Sequence, residues 1–127
     1  MDEQPIALID YLELPAPALE ATKAFYTAVF GWEWVDYGPT YAATGDAGIE
    51  FALNASSLPG PMPERGIDNS VGPLALFNAS DVDAVYSAVV TAAGDPICDV
   101  LPYPGGRRFL FADPSGNVLG VYQSDAD

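Results

Sequence analysis

The sequence predicts an α+β domain made of two similar βαβββ halves. Three observations carry this reading: a strand followed by a helix occurs twice, three short strand-like runs follow each helix, and a turn-rich stretch separates the repeats. The length agrees, because 127 residues can bury one sizeable core but are few for two independent domains. The expected organisation is a single domain over residues 1–127, with module 1 at residues 5–54, a linker at 55–70 and module 2 at 71–125.

Residues 5–14 read as the first strand, since Ile6, Leu8, Leu12 and Leu14 share a parity, and Pro15-Ala16-Pro17 ends it. Leu19, Thr22, Phe25, Tyr26, Val29 and Phe30 then recur at helical intervals, and Gly31 stands where a C-terminal cap belongs. Strand-like runs at residues 32–37, 40–44 and 48–53 follow, separated by Gly38-Pro39 and Gly45-Asp46. The stretch up to Ser70, with Pro59-Gly60-Pro61-Met62-Pro63, has the composition of a linker or flap. The pattern restarts with a strand at residues 73–79 and a helix opened by Ser80-Asp81-Val82-Asp83, in the manner of a capping box with Asp83 in place of Glu. Val82, Tyr86, Val89, Val90 and Ala93 form its apolar stripe, and Gly94 closes it. Strands at 97–101, 107–112 and 117–123 complete the repeat, the last two divided by Asp113-Pro114-Ser115-Gly116. Each half alone would expose an apolar sheet face. The halves must therefore cover one another, within a chain or between chains, and the expected result is a curved mixed sheet around a cleft.

Eighteen acidic residues against four basic ones, Lys23, Arg65, Arg107 and Arg108, give a net charge of -14. Phosphate binding needs clustered cations, so a nucleic-acid partner is excluded. Such an acidic protein favours solubility and attracts cationic small molecules. With no histidine, Cys-His and Ser-His-Asp catalysis are excluded, and Cys98 alone forms neither an internal disulfide nor a multi-thiolate zinc site. Cys98 is expected to be a small buried hydrophobe. The acidic start at residues 1–5 lacks a basic leader pattern and no long apolar run follows, so the expectation is a cytoplasmic protein with no membrane partner.

Three spaced segments resemble a known superfamily. Phe25-Tyr26-Thr27-Ala28-Val29-Phe30-Gly31-Trp32 resembles the helix end of vicinal oxygen chelate proteins, the glyoxalase, bleomycin resistance and dioxygenase group. Asp81-Val82-Asp83-Ala84 resembles the start of their second helix, and Phe111-Ala112-Asp113-Pro114-Ser115-Gly116-Asn117 their last turn. The resemblance implies paired modules forming a cleft, where relatives commonly hold a divalent metal through four positions. Carried onto this chain, those positions are Tyr11, Glu50, Leu74 and Gly120. Only Glu50 is a good ligand type, and Leu74 and Gly120 have no donor, so the expected metal is none and the expected cofactor is none. This argues against glyoxalase I, extradiol dioxygenase and metal-dependent fosfomycin-opening chemistry. A minor alternative is an oxygen-only cluster of Glu50, Glu13 and the Tyr11 hydroxyl around a hard cation such as Mg2+.

Strand alternation places Glu13 on the face of Tyr11, with Glu50 approaching from a neighbouring strand. Two carboxylates beside a phenol suit acid/base chemistry or the binding of a cationic group; the alternative for Glu13 is an ion pair with Arg107 or Arg108. From module 2, Leu74, Leu76, Asn78, Val118, Gly120 and Tyr122 form an apolar, aromatic wall, with Gly120 leaving room for a ligand. Trp34 is a candidate for stacking on a planar ligand and Arg108 for clamping an anion, against packing and a surface ion pair respectively. The functional expectation is metal-independent binding of a small organic ligand by a homodimer. The rival is a lyase or isomerase-type enzyme acting through catalytic Glu13, Glu50 or Tyr11.

Overall fold

The computed structural model describes residues 6–125; the expectations for residues 1–5 lie outside the described residues. Module 1 runs β1 (Tyr11–Pro15), α1 (Leu19–Phe30), β2 (Val35–Asp36), β3 (Tyr41–Thr44) and β4 (Glu50–Asn54). Module 2 runs β5 (Leu76–Asn78), α2 (Val82–Thr91), β6 (Asp95–Pro96), β7 (Leu101–Tyr103), β8 (Gly106–Ala112) and β9 (Val118–Ser124). The first sheet has the order β1-β4-β3-β2, and the second β5-β9-β8-β6 with β7 also on β8. In both, the strand before the helix pairs parallel with the last strand of its module, β1 with β4 and β5 with β9. The α+β class and the duplicated βαβββ plan are therefore present.

Several boundaries differ from the expectation: the strands expected at 32–37 and 73–79 shrink to β2 (Val35–Asp36) and β5 (Leu76–Asn78), and three further differences are larger. The first strand begins at Tyr11 rather than near residue 5, because β4 starts at Glu50, the register partner of Tyr11, and leaves Ile6, Leu8 and Ile9 exposed with no strand beside them. The strand expected at 97–101 is split into β6 and β7. Both pair with β8, and the backbone of residues 97–100 bulges between them. At α2 the N-cap is Asp81, whose carboxylate accepts from the Ala84 N–H, while Asp83 turns outward to Arg107 and takes no part in capping.

The end of α2 holds a further correction. Ala93, not Gly94, takes the left-handed conformation (φ 66°), and the Ala93 and Gly94 N–H groups close a Schellman motif onto Val90 O and Val89 O. Gly94 is required for space: a Cβ there would lie 2.5 Å from Phe25 and 2.7 Å from Val89. Ala93→Gly is expected to raise stability by about 0.5–1 kcal/mol, since glycine removes the Cβ clash of the left-handed state. A denaturant midpoint that falls instead would refute this reading of the cap.

The core is shared between the modules. Leu12, Leu14, Phe51 and Leu53 point inward from the first sheet, and Phe77, Phe109, Phe111, Leu119 and Val121 inward from the second. Between them Tyr26 and Phe25 of α1 divide the work: Tyr26 packs on Trp32, Trp34 and Phe51, and Phe25 on Phe111. The Phe51 and Phe77 rings meet at 6.2 Å, joining the two sheets directly. Among the described residues no strand of one sheet is hydrogen-bonded to a strand of the other. Within one chain, then, the modules meet through their inner faces and helices, and the opposite faces of the two sheets look away from each other.

The turn after β8 locks this arrangement. Asp113 is buried and accepts from Ser115 N, Asn117 N, Asn117 Nδ2 and, across the module boundary, Tyr26 Oη at 2.9 Å. Ser115 Oγ accepts the Ala18 N–H ahead of α1 and meets Thr22 Oγ1 at 2.6 Å; Asn117 Nδ2 donates to Pro15 O. The helix that lacks a side-chain cap of its own thus borrows one from module 2.

Candidate functional site

The outward face of the first sheet is where side chains of chemical interest converge. Register places Tyr11 beside Glu50, Glu13 beside Ala52 and Tyr41 beside Asn54. Alternation sends Leu12, Leu14, Phe51 and Leu53 to the core, so Tyr11, Glu13, Tyr41, Glu50 and Asn54 share the other face. Ala43 and Ala52 form its floor, and both are buried although they face outward. The two tyrosine rings reach diagonally over this floor until their hydroxyls stand 2.6 Å apart. Tyr41 Oη also donates to Glu13 Oε1 at 2.9 Å, and Asn54 Nδ2 donates to Glu13 Oε2 at 3.3 Å. Desolvation, then the bonds to Tyr11 and Glu13, push the Tyr41 phenol well above the ordinary tyrosine value. The Glu50 carboxylate lies over Gly45, and Tyr37 packs edge-on to Tyr41.

Among the described residues no basic side chain pairs with these carboxylates. Glu13 does not pair with Arg107 or Arg108, because Arg107 is taken by Asp83 and Arg108 by Asp68. Lys23 pairs with Asp36 and Glu20, and Arg65 with Asp95, so all four cations of the chain are engaged elsewhere.

The residues expected from module 2 lie on the outward face of the second sheet and are not brought to Tyr11. Leu76 and Tyr122 flank Gly120 and Arg108 in register. Gly120 does not leave a vacancy: a Cβ there would stand 2.5 Å from Leu76 and 3.0 Å from Leu110. Leu74 is partly buried against the core, and Asn78 is exposed at the edge of β5. Arg108 Nε is bound to Asp68 Oδ2 at 2.7 Å, with its guanidinium 5.9 Å from the Tyr103 ring centre. Through this pair and the Gly66 N–H to Ile97 O bond the linker is pinned to the second sheet, contrary to a free flap. Trp34 sits in the shared aromatic core, its Nε1 donating to Lys23 O, and does not reach the Tyr11 face. Cys98 is buried, as expected of a small hydrophobe.

The four positions that the resemblance carries over as metal ligands, Tyr11, Glu50, Leu74 and Gly120, do not make up a set of ligands here. Tyr11 is bonded to Tyr41, Leu74 has no donor, and the space at Gly120 is occupied by leucine methyl groups. Among the described residues no group of three or more His, Cys, Asp or Glu is placed to hold an ion. Nor is any helix long and apolar enough to cross a membrane.

Comparison with known proteins now decides the family, since the model of the Glyoxalase/Bleomycin resistance protein/Dioxygenase superfamily matches residues 8–121. The chain belongs to that superfamily. This member is 30% identical over 125 residues to the anthracycline biosynthesis protein DauV of Streptomyces sp. (strain C5), covering 89% of this chain and 46% of DauV. It thus spans about half the length of the curated relatives it matches. Among solved structures, FosX, a fosfomycin resistance protein of Listeria monocytogenes, superposes with a TM-score of 0.73 at 17% identity, over 96% of this chain and 97% of FosX. TnmS3, an antibiotic binding protein of Streptomyces sp. CB03234, gives 0.64 at 22% identity, over 97% of this chain and all (100%) of TnmS3. These superpositions establish the fold of this superfamily member.

Sequence reading missed Tyr41, Asn54 and Tyr37. The first two stand opposite each other in β3 and β4, and only the pairing register brings them to Glu13.

Proposed function

We propose that this superfamily member binds a small organic molecule, without a metal, on the outward face of its first sheet. The observation that carries the reading is the Tyr11–Tyr41–Glu13–Asn54 hydrogen-bond network, with Glu50 beside it and no basic residue to neutralise it. Aromatic rings over a floor of two alanines offer apolar contact, and a few directed polar atoms give orientation, the combination that suits organic ligands. The similarity to DauV, an anthracycline biosynthesis protein, and to TnmS3, an antibiotic binding protein, supports a planar or cationic organic compound as the class.

A second copy of the chain completes the site in this reading. β1 and β5 each lie at an edge of their sheet with one side unpaired. Exposed Ile6, Leu8 and Ile9 precede β1, and exposed Val71 and Leu76 accompany β5. With β5 of one copy beside β1 of another, the wall of Leu76, Asn78 and Tyr122 would stand opposite Tyr11, Glu13 and Glu50, with Arg108 held by Asp68.

Two measurements test this. Sedimentation equilibrium is expected to give a dimer, and a monomer at all concentrations would refute the completed cleft. A thermal-shift screen of planar aromatic amines, with and without Mg2+, Mn2+ or Zn2+, is expected to give stabilisation by organic compounds alone. A large shift with a metal alone would overturn metal independence.

A further inference from the structure

The hydrogen bonds on the first sheet run in one direction. A carboxylate only accepts, so Tyr41, 2.9 Å from Glu13 Oε1, must spend its one proton there. The Tyr41 oxygen then has only acceptor capacity left for Tyr11, at 2.6 Å, so the proton between the two hydroxyls belongs to Tyr11. The reverse order would set two lone pairs against each other at Glu13. Asn54 fills the second Glu13 oxygen and holds the carboxylate in place.

From this ordering we infer that Tyr41 is a positioning residue that makes Tyr11 Oη a hydrogen-bond acceptor, so that the site selects ligands carrying a protonated amine. The inference rests on the first-sheet face being the ligand site. Tyr11 is 48% exposed, so its oxygen is open to a ligand while its proton is committed inward. Glu50, its register partner, adds a carboxylate on the same face. The Tyr11 oxygen and the Glu50 carboxylate beside it both accept, which suits an N–H donor and penalises an anion or a carbonyl oxygen near them. For the same reason Tyr11 is poorly placed to act as a general acid. Its proton could reach a ligand only by giving up the bond to Tyr41.

The test uses the full chain and three probes of one shape, benzylammonium, benzyl alcohol and benzoate, with binding followed by NMR at the tyrosine rings. Wild type should bind in the order amine, alcohol, benzoate. Tyr41→Phe leaves the net charge unchanged but frees the Tyr11 proton to point outward. Its preference for amine over alcohol should fall about fivefold, the equivalent of one ordinary hydrogen bond, and Tyr11→Phe should lose it to a similar extent. Without ligand, the Tyr41 ring carbon bearing oxygen should titrate above the ordinary tyrosine range in wild type and that signal should be missing in Tyr41→Phe. An amine preference unaltered in Tyr41→Phe, or an ordinary Tyr41 titration, overturns the ordering while leaving the site intact. Probes that perturb none of Tyr11, Tyr37 and Tyr41 overturn the site itself.

Discussion

Asp113→Ala is expected to destabilise the fold by about 3–5 kcal/mol, the scale of a lost buried network. The carboxylate is the common acceptor for the Tyr26 hydroxyl, two backbone N–H groups and the Asn117 amide, all buried or nearly so. Alanine leaves the Tyr26 hydroxyl and the Ser115 and Asn117 backbone N–H groups without their acceptor, and it removes the side-chain bond by which Tyr26 is tied to module 2. Burial raises the Asp113 carboxyl above its ordinary value, more than the donors around it lower it. The sign follows. The folded chain holds this proton more tightly than the unfolded one, so the group's contribution is full below the ordinary carboxylate range and is lost as pH rises through the raised value. The gap between wild type and variant should therefore narrow between about pH 4 and neutrality. Denaturant melts at both pH values measure it, and a loss under about 1 kcal/mol would show that Asp113 does not organise the module boundary.

Gly120→Glu, which restores a carboxylate at the position relatives use for a metal, is expected to cost a similar amount and to gain no metal affinity. Leu76 and Leu110 already occupy the space above Gly120. A glutamate must displace both and then place its charge among methyl groups, so overpacking adds to desolvation, about 3–5 kcal/mol together. The remaining positions supply no compensation, since Leu74 cannot donate and Tyr11 is engaged by Tyr41. Metal-dependent melting of the variant is the measurement. A variant that folds at wild-type stability and is further stabilised by Mn2+ or Zn2+ would mean the metal centre lacks one ligand only.

Both effects bear on what a sequence can tell. The helix from Leu19 to Phe30 and its Gly31 cap were legible because amphipathic spacing and a left-handed glycine are local properties. The Asp-Pro-Ser-Gly turn was legible as a turn, yet its main work is at long range, capping α1 with Ser115 and holding Tyr26 with Asp113. Gly94 was read as closing α2 and its N–H does bond Val89 O, but what forbids a side chain there is crowding by Val89 and by Phe25, far away in the chain. Tyr11, Glu13 and Glu50 were found from parity. Tyr41 and Asn54 were not, because parity gives the face of a strand and says nothing about which strand lies next to it. Arg108 takes the ion pair and Trp34 the core packing that were weighed beside their ligand roles, because Asp68 and the core aromatics lie next to them, and two leucines fill the room at Gly120.

By itself the sequence determined the duplicated βαβββ plan, the acidic character and the lack of histidine, because composition and periodicity are fixed residue by residue. Only the tertiary structure decided that the two sheets share one core with their other faces turned apart, and that Tyr41 joins Tyr11 to Glu13. Those outcomes depend on strand register and on contacts between residues distant in the chain, and no local pattern encodes which neighbour a side chain will meet.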